Sequence, residues 1–317
     1  MPKLDVLDFA WWEITGKCQL ACDHCYASSG PDGTHGSLSV ADWRRVITQT
    51  REAGARMGQF IGGEPTLHPA LPQLVQHALS AGMEVEIYTN LVHVTPELWE
   101  TFRLPGVHLA TSYYSDRSDE HEAITKRPSL RATTKNIVRA QELGIPLRVG
   151  VIGVLDGQRT GQAIASLERL GVAEIGYDNL REVGRGVREN GPGVDQLCGN
   201  CGDRRVAISP TGEVWPCVFS RWLPVGNVRQ TSLPGIVTGE KFAQIASELR
   251  EEFGTRARPC RPDPCSPDCS PSCQPQNNCR PADNCLPNYN CGPCPPRDKN
   301  CKPVMNCDPN KCRPDKK

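Results

Sequence analysis

What the chain lacks narrows it first. No stretch approaches the roughly 20 apolar residues needed to span a bilayer as a helix. The N-terminal MPKLDVLDFAWWEIT has neither a long apolar run nor a small-residue cleavage site. With no signal peptide to read, a soluble, cytoplasmic protein without a membrane partner is expected. Net charge is missing too: Lys and Arg total 36, and Asp and Glu total 36. A neutral chain lacks the basic footprint of a nucleic-acid binder, so neither DNA nor RNA is expected as a partner. Cysteine is absent from residue 26 to residue 197, although the 317 residues include 17 of them. In a secreted protein so many thiols would mean disulfides. Here three stand at 18–25, three at 198–217 and eleven at 260–312. Clustered thiols in a chain without an export signal point to metal ligands, at least in the first two groups.

The length suits one large domain with an appendage, or about two average domains. Over the first half, apolar strand-like runs alternate with amphipathic stretches. Strands are expected at Val6–Ile14, Met57–Ile61, Val85–Thr89, Val107–Ser112, Leu147–Val154 and Ala173–Asp178. Helices are expected at Val40–Glu52, Ala70–Ala81, Pro96–Phe102, Ser129–Leu143 and Gln158–Leu170. Ser39 with Asp42 three residues on approximates a capping box, and Gly54, Gly82, Gly144 and Gly171 stand where helices would end. This alternation implies a parallel sheet with crossover helices. Six strands are fewer than the eight of a closed barrel. The fold class expected is therefore α/β, a partial (βα)6 TIM-like barrel over residues 1–185.

Residues 186–279 change character. Arg205–Ser209 and Glu213–Val218 flank Pro210-Thr211-Gly212, a turn signal between two short alternating runs, hence a β-hairpin. Glu240–Glu251 then reads as a last amphipathic helix. A small Cys-rich domain of hairpin and helix is expected. After about Thr255 the composition shifts to Pro, Cys, Asn and Asp with almost no large apolar side chains. Such a tail, above all 280–317, cannot bury a core of its own.

Cys18-x3-Cys22-x2-Cys25 follows the first strand, at the edge where α/β barrels carry their chemistry. Three thiolates at short spacing on one loop can each bind one iron of a [4Fe–4S] cubane. The fourth iron then stays open to a substrate or cofactor, the feature that separates catalytic from structural metal sites. A zinc loop with a distant fourth ligand is the alternative. The second strand runs into Gly62-Gly63-Glu64-Pro65, which alone could be a plain turn. Its glycines let backbone approach a ligand closely, and Glu64 offers a carboxylate to an ammonium in a charge-assisted hydrogen bond.

Together these motifs resemble the radical S-adenosylmethionine superfamily over roughly the first 180 residues. The resemblance implies a reduced cluster that passes one electron to the bound sulfonium, and a 5′-deoxyadenosyl radical that abstracts hydrogen from a substrate. It implies a flavodoxin or ferredoxin as electron donor. Gly62, Gly63, Glu64 and Pro65 look like the family's motif for the methionyl amino group. His24 stands where the family has an aromatic residue before the last cysteine, beside the adenine, with Tyr26 as a sharer of that role; a loop histidine serves as well. Asn90, closing Tyr88-Thr89-Asn90, and Ser112, closing the fourth strand, are implied as further cofactor contacts. Gly150-Val-Ile-Gly153 resembles the fifth-strand adenine contact.

The second cysteine group sits around the hairpin. Cys198-x2-Cys201 precedes it and Cys217 ends it, so hairpin geometry can bring all three to one metal, an auxiliary cluster or a structural zinc. The pattern resembles the SPASM or twitch extension of radical maturases, and Val183-Gly-Arg-Gly186 and Val225-Gly-Asn-Val228 fit it. That extension's later C-x2-C-x5-C-x3-C is not reproduced by Cys260-x4-Cys265-x3-Cys269-x3-Cys273. A fourth auxiliary ligand is expected among Cys260, Cys265, Cys269 and Cys273, which leaves the count at one auxiliary iron–sulfur cluster or two. Two would bring the need to eleven thiolates and leave six of the 17 over.

Three functions compete on this reading. One is maturation of a ribosomally made peptide by crosslinking, thioether formation or epimerisation. With few residues ahead of the first strand, leader recognition is then expected from a separate binding protein or from the barrel mouth itself. The second is a dehydrogenase or epimerase of a small molecule such as an aminosugar. The third, a non-catalytic metal-binding protein built around the tail, leaves the GGEP motif without a purpose.

Overall fold

The structure, a computed structural model, describes residues 6–255. Cys260, Cys265, Cys269 and Cys273, the end of the expected 186–279 domain and the 280–317 tail lie outside the described residues. Six parallel strands come first, with α-helices in the five connections between them. The strands are β1 (Phe9–Thr15), β2 (Met57–Gly62), β3 (Glu84–Tyr88), β4 (Val107–Tyr113), β5 (Leu147–Gly153) and β6 (Glu174–Asn179). The helices are α1 (Val40–Glu52), α2 (Leu71–Ser80), α3 (Pro96–Phe102), α4 (Ser118–Thr125), α5 (Leu130–Glu142) and α6 (Thr160–Arg169), of which α4 and α5 both follow β4. Then follow β7 (Arg205–Ile208), β8 (Glu213–Trp215), β9 (Gly226–Asn227), α7 (Leu233–Val237) and α8 (Glu240–Thr255). The order across the sheet is β6-β5-β4-β3-β2-β1-β7-β8-β9, with β1 to β6 parallel.

The six expected strands all form, and the helices differ from expectation by at most two residues per end, except α8, which runs four residues past the expected Glu251. Three elements escaped the sequence reading: α4, α7 and β9. The first two are short, and β9 is two residues whose strand character comes only from pairing with β8. Ser39 does cap α1: its hydroxyl accepts from the Asp42 N–H at 3.1 Å, and the Asp42 carboxylate accepts from the Ser39 N–H at 3.0 Å.

The hairpin is where the architecture departs most from expectation. β7 pairs in parallel with β1, Phe9 opposite Arg205 through Trp12 opposite Ile208. The Cys-rich segment therefore extends the barrel's own sheet rather than standing beside it. The reason lies in β1. A parallel edge strand leaves its ladder groups unpaired, and FAWWEIT is buried on both faces, so something must cover it. Ala10, Trp12 and Ile14 pack under the helices, while Trp11 faces the other way with Ala207, Trp215 and Cys217.

On the concave side the lower layer is polar. Arg148 of β5 reaches Glu86 of β3 through Nε at 2.6 Å and a second nitrogen at 2.8 Å, and Gln59 of β2 donates to the same carboxylate. This bidentate pair plugs the barrel floor, so the open space lies above it, at the C-terminal ends of the strands.

Candidate functional site

Above the plug is one cleft enclosing about 1490 Å³, its open mouth included. The loop after β1 supplies Cys18, Cys22, His24, Cys25 and Tyr26 to its wall. Gly62 and Gly63 come from the end of β2, Asn90 from β3, Ser112 and Tyr114 from β4, and Asp178 and Asn179 from β6. Cys198, Cys201 and Cys217 line the same cleft. The two cysteine groups, nearly two hundred positions apart in sequence, thus face one space, because β7 lies directly beside β1.

The cysteine loop is held from three directions. Cys18 N–H donates to the Gly30 carbonyl at 3.0 Å. The C-terminal carbonyls of α4 receive it next: Ala21 N–H meets Thr125 O and Asp23 N–H meets Ile124 O, both at 3.2 Å. From the far side Arg185, in the Gly184–Gly186 turn after β6, closes the clamp. Its backbone N–H donates to Cys25 O at 3.0 Å, its Nε to Cys22 O at 2.9 Å and its guanidinium to Ser29 O at 2.6 Å. Gly184 adopts φ +60°, and a Cβ there would stand 2.3 Å from Tyr26 O, so only glycine lets the turn come this close.

Sulfur chemistry in the loop favours a metal. Burial first, then the neighbouring carboxyl or thiols, pushes the Cys18 and Cys22 thiols up to about 12. Such thiols ionise when a cation takes the place of the proton. Backbone donors already wait: Leu20 N–H lies 3.4 Å from the Cys18 sulfur and Ser29 N–H 3.3 Å from that of Cys25. Among the described residues no three His, Cys, Asp or Glu close on a single-ion point. Cys18, Cys22 and Cys25 all line the cleft, and three thiolates on one loop can each bind one iron of a cubane.

The GGEP segment is anchored by the ends of the neighbouring strands. Glu64 is 1% exposed and absent from the cleft wall. Its carboxylate accepts from Thr66 N–H at 3.1 Å, Thr66 Oγ1 and Thr89 Oγ1 at 2.7 Å, and Asn90 N–H at 2.8 Å. It braces the β2 and β3 ends against each other: three of these bonds fall on Oε1 and only the Asn90 N–H on Oε2, which leaves Oε2 with acceptor capacity. Pro65 opens a 3-10 turn (Pro65–Leu67) and likewise stays off the wall. The glycines approach the cysteine loop: a Cβ on Gly62 would be 2.3 Å from Thr15 O, and one on Gly63 2.3 Å from Lys17 O. Gly62 and Gly63 remain on the wall as backbone.

His24, Tyr26, Asn90 and Ser112 all line the cleft. Asn90 Oδ1 accepts from Gln19 at 3.0 Å, and its amide nitrogen reaches the Cys18 sulfur at 3.8 Å. The Ser112 hydroxyl pairs with Tyr88 at 2.9 Å. His24 Nε2 lies 3.1 Å from the Tyr114 hydroxyl, and Nδ1 is buried without a protein partner. Burial lowers its pKa to about 4, so the ring is neutral at pH 7. The Tyr26 hydroxyl is also buried and unpartnered. With His121 Nδ1, also on the wall and without a hydrogen bond, these buried polar atoms are what a bound polar cofactor would meet.

In the second group, the Cys201 and Cys217 sulfurs stand 3.0 Å apart, and Phe219 N–H donates to that of Cys217 at 3.3 Å. Burial opposes ionisation of Cys217, but the Cys201 thiol and this N–H outweigh it and lower its pKa. Sequence reasoning missed Arg185 as a clamp, although its motif was noticed, and missed Arg221 altogether. Arg221 reaches across from the segment after Cys217 to both Glu13 oxygens, at 2.8 and 2.9 Å, with its guanidinium 4.3 Å from the Trp215 ring centroid.

Losing a residue that orients metal ligands typically weakens metal binding about 10- to 100-fold. Arg185→Ala is expected to fall in that range, read as iron retained through gel filtration after anaerobic reconstitution. Unchanged iron content would remove Arg185 from the cluster's support.

Comparison with known proteins agrees with this geometry. The model of the Radical SAM superfamily matches residues 12–170, and that of the SPASM iron–sulfur cluster-binding domain matches 198–270. The PqqA peptide cyclase of Streptomyces rochei is 26% identical over 300 residues, covering 80% of each chain. The AdoMet-dependent heme synthase of Nitratidesulfovibrio vulgaris is 24% identical over 308 residues, 78% of this chain and 83% of its own. Among solved structures, Streptococcus suis SuiB bound to precursor peptide SuiA superposes with a TM-score of 0.64 at 15% identity, over 77% of this chain and 67% of that one. That last likeness is one of fold.

Proposed function

The chain belongs to the radical SAM superfamily with a SPASM domain, and we propose that it matures a ribosomally made peptide by crosslinking, thioether formation or epimerisation. When bound, the [4Fe–4S] cluster and S-adenosylmethionine supply a 5′-deoxyadenosyl radical that takes a hydrogen atom from the substrate. On this reading Cys18, Cys22 and Cys25 hold the cluster. Asn90, Ser112, His24, Tyr26 and the Gly62–Gly63 backbone receive the cofactor.

The observation that carries the reading is the single cleft shared by both cysteine groups. A substrate placed there lies between the site that makes the radical and Cys201 and Cys217, which could hold a second redox centre. Modifications that form a new bond after hydrogen loss release a further electron, and a neighbouring centre can take it. The PqqA peptide cyclases add support, since their name specifies a peptide substrate. We further infer an external one-electron donor of flavodoxin or ferredoxin type, and recognition of the peptide's leader by a separate protein or by the cleft rim.

The test is anaerobic incubation of reconstituted enzyme with S-adenosylmethionine, dithionite and the short peptide encoded beside the gene. Expected are 5′-deoxyadenosine and a peptide of altered mass or stereochemistry. Release of 5′-deoxyadenosine with turnover of a neighbouring pathway's sugar, and none of the peptide, would replace this reading with the small-molecule one. In Cys201→Ala and Cys217→Ala, cofactor cleavage should persist while modified peptide disappears. Full peptide turnover in both would remove the auxiliary centre from the reaction.

A further inference from the structure

A stripe of positive charge runs along the outer face of α5 to the cysteine loop. Arg127, Arg131, Lys135 and Arg139 recur at every fourth residue, and all four are exposed. Within α5 the fourfold spacing keeps Arg131, Lys135 and Arg139 on one helix face, opposite Leu130, Thr133, Ile137 and Ala140, which are buried, while Arg127 stands three residues before the helix. Arg139 pairs with Glu142. The side chains of Arg127, Arg131 and Lys135 form no ion pair among the described residues.

Local helix physics does not explain this placement. Arg127 and Arg131 flank the N-terminus of α5, whose first turn has no acidic residue and no side-chain cap. Cations there oppose the helix dipole, and like charges four apart repel. Charge kept against local preference is the pattern of a functional surface. The nearby acids do not neutralise it: Asp119 is engaged by Arg117, Glu120 accepts from Arg159 N–H, and the exposed side chain of Glu122 forms no ion pair among the described residues.

The stripe ends at the cysteine loop. Lys126, in the left-handed conformation at φ +61°, joins α4 to the stripe and pairs with Asp23 at 2.5 Å. Asp23 sits between Cys22 and His24, and its N–H is held by α4. The patch is thus fixed to the outer side of the loop whose inner side presents the cysteines. A carrier docked there would meet the cluster from behind, leaving the cleft free for the substrate. We propose that Arg127, Arg131 and Lys135 form the docking surface for an acidic one-electron carrier protein that reduces the cluster on Cys18, Cys22 and Cys25. This rests on the reading of the chain as a radical enzyme fed by an external donor. The carrier gives up one electron, the cluster gains it, and no bond to the carrier forms.

The experiment uses full-length reconstituted enzyme and reduced flavodoxin, with cluster reduction followed by stopped-flow absorbance. Electrostatically steered association changes rates by 10-fold or more and weakens with salt. The wild-type rate should therefore drop steeply between about 0.05 and about 0.5 M salt. The triple charge reversal R127E/R131E/K135E should be slower by about 10-fold or more with flavodoxin, yet equal to wild type with dithionite, which needs no docking surface. Equal flavodoxin rates in the two proteins would overturn the proposal, as would slowing by dithionite too, which would mean a damaged site. If the variant loses affinity for the precursor peptide, by anisotropy, while keeping its flavodoxin rate, the surface belongs to the peptide. Failure of every flavodoxin and ferredoxin tried to reduce the wild-type cluster would instead sink the donor reading beneath it.

Discussion

Cys22→Ala is expected to release no detectable 5′-deoxyadenosine from S-adenosylmethionine, while the protein still folds with a cooperative transition near that of wild type. Cys22 lies on a loop, half-buried, and a thiol-to-methyl change there removes little packing. Its chemical loss is total by comparison. The three thiolates each hold one iron, and the cofactor, not the protein, carries the difficult chemistry. Removing one ligand therefore removes the reaction rather than slowing it. The raised pKa values of Cys18 and Cys22, up to about 12, give a companion expectation. Protons and iron compete for the same sulfurs, so reconstitution should load less iron as pH falls from about 8.5 to about 6.5. Wild-type levels of 5′-deoxyadenosine from Cys22→Ala would show that the cluster does not depend on this loop.

The second large effect is on stability. Arg221→Met is expected to cost about 3–5 kcal/mol, because breaking a buried ion pair from one side strands the other charge. Glu13 is 1% exposed and receives both of its short contacts from Arg221. Burial already pushes its pKa above the ordinary carboxylate value, against the pull of that guanidinium. With Arg221 gone, Glu13 must be protonated to stay folded. Sign follows from this: the variant should be most stable at low pH and lose stability as pH rises, more steeply than wild type. Adding Glu13→Gln should recover much of the loss, since it removes the stranded charge. Urea unfolding of the single and double variants at two pH values checks all three statements. A single variant within about 0.5 kcal/mol of wild type would mean that the pair does not tie the hairpin to β1.

Some of this site could be read without coordinates, and for a definite reason. Cys18, Cys22 and Cys25 lie on one short loop, so their mutual distance is bounded by the chain itself. Gly62 and Gly63 end a strand whose apolar run announces it. Local spacing carries such features. Glu64 shows the limit: its motif is legible, but the anchoring of its carboxylate by Thr66, Thr89 and Asn90 is not. A side chain's direction depends on strands that are distant in sequence, and no motif records it. The pairing of Glu13 with Arg221, 208 positions apart, left no periodic trace. Neither did the closure of Arg185 onto Cys22 and Ser29, although its flanking glycines were visible.

By itself, then, the amino-acid order determined the six parallel strands, five of the helices between them, the loop of three cysteines and the hairpin ended by Cys217. These follow from short-range periodicity, turn chemistry and thiol spacing. Only the tertiary structure decided that β7 pairs with β1 and so brings both cysteine groups to one cleft. The physical reason is the exposed ladder and doubly apolar surface of β1, which needed a partner that local sequence could not name.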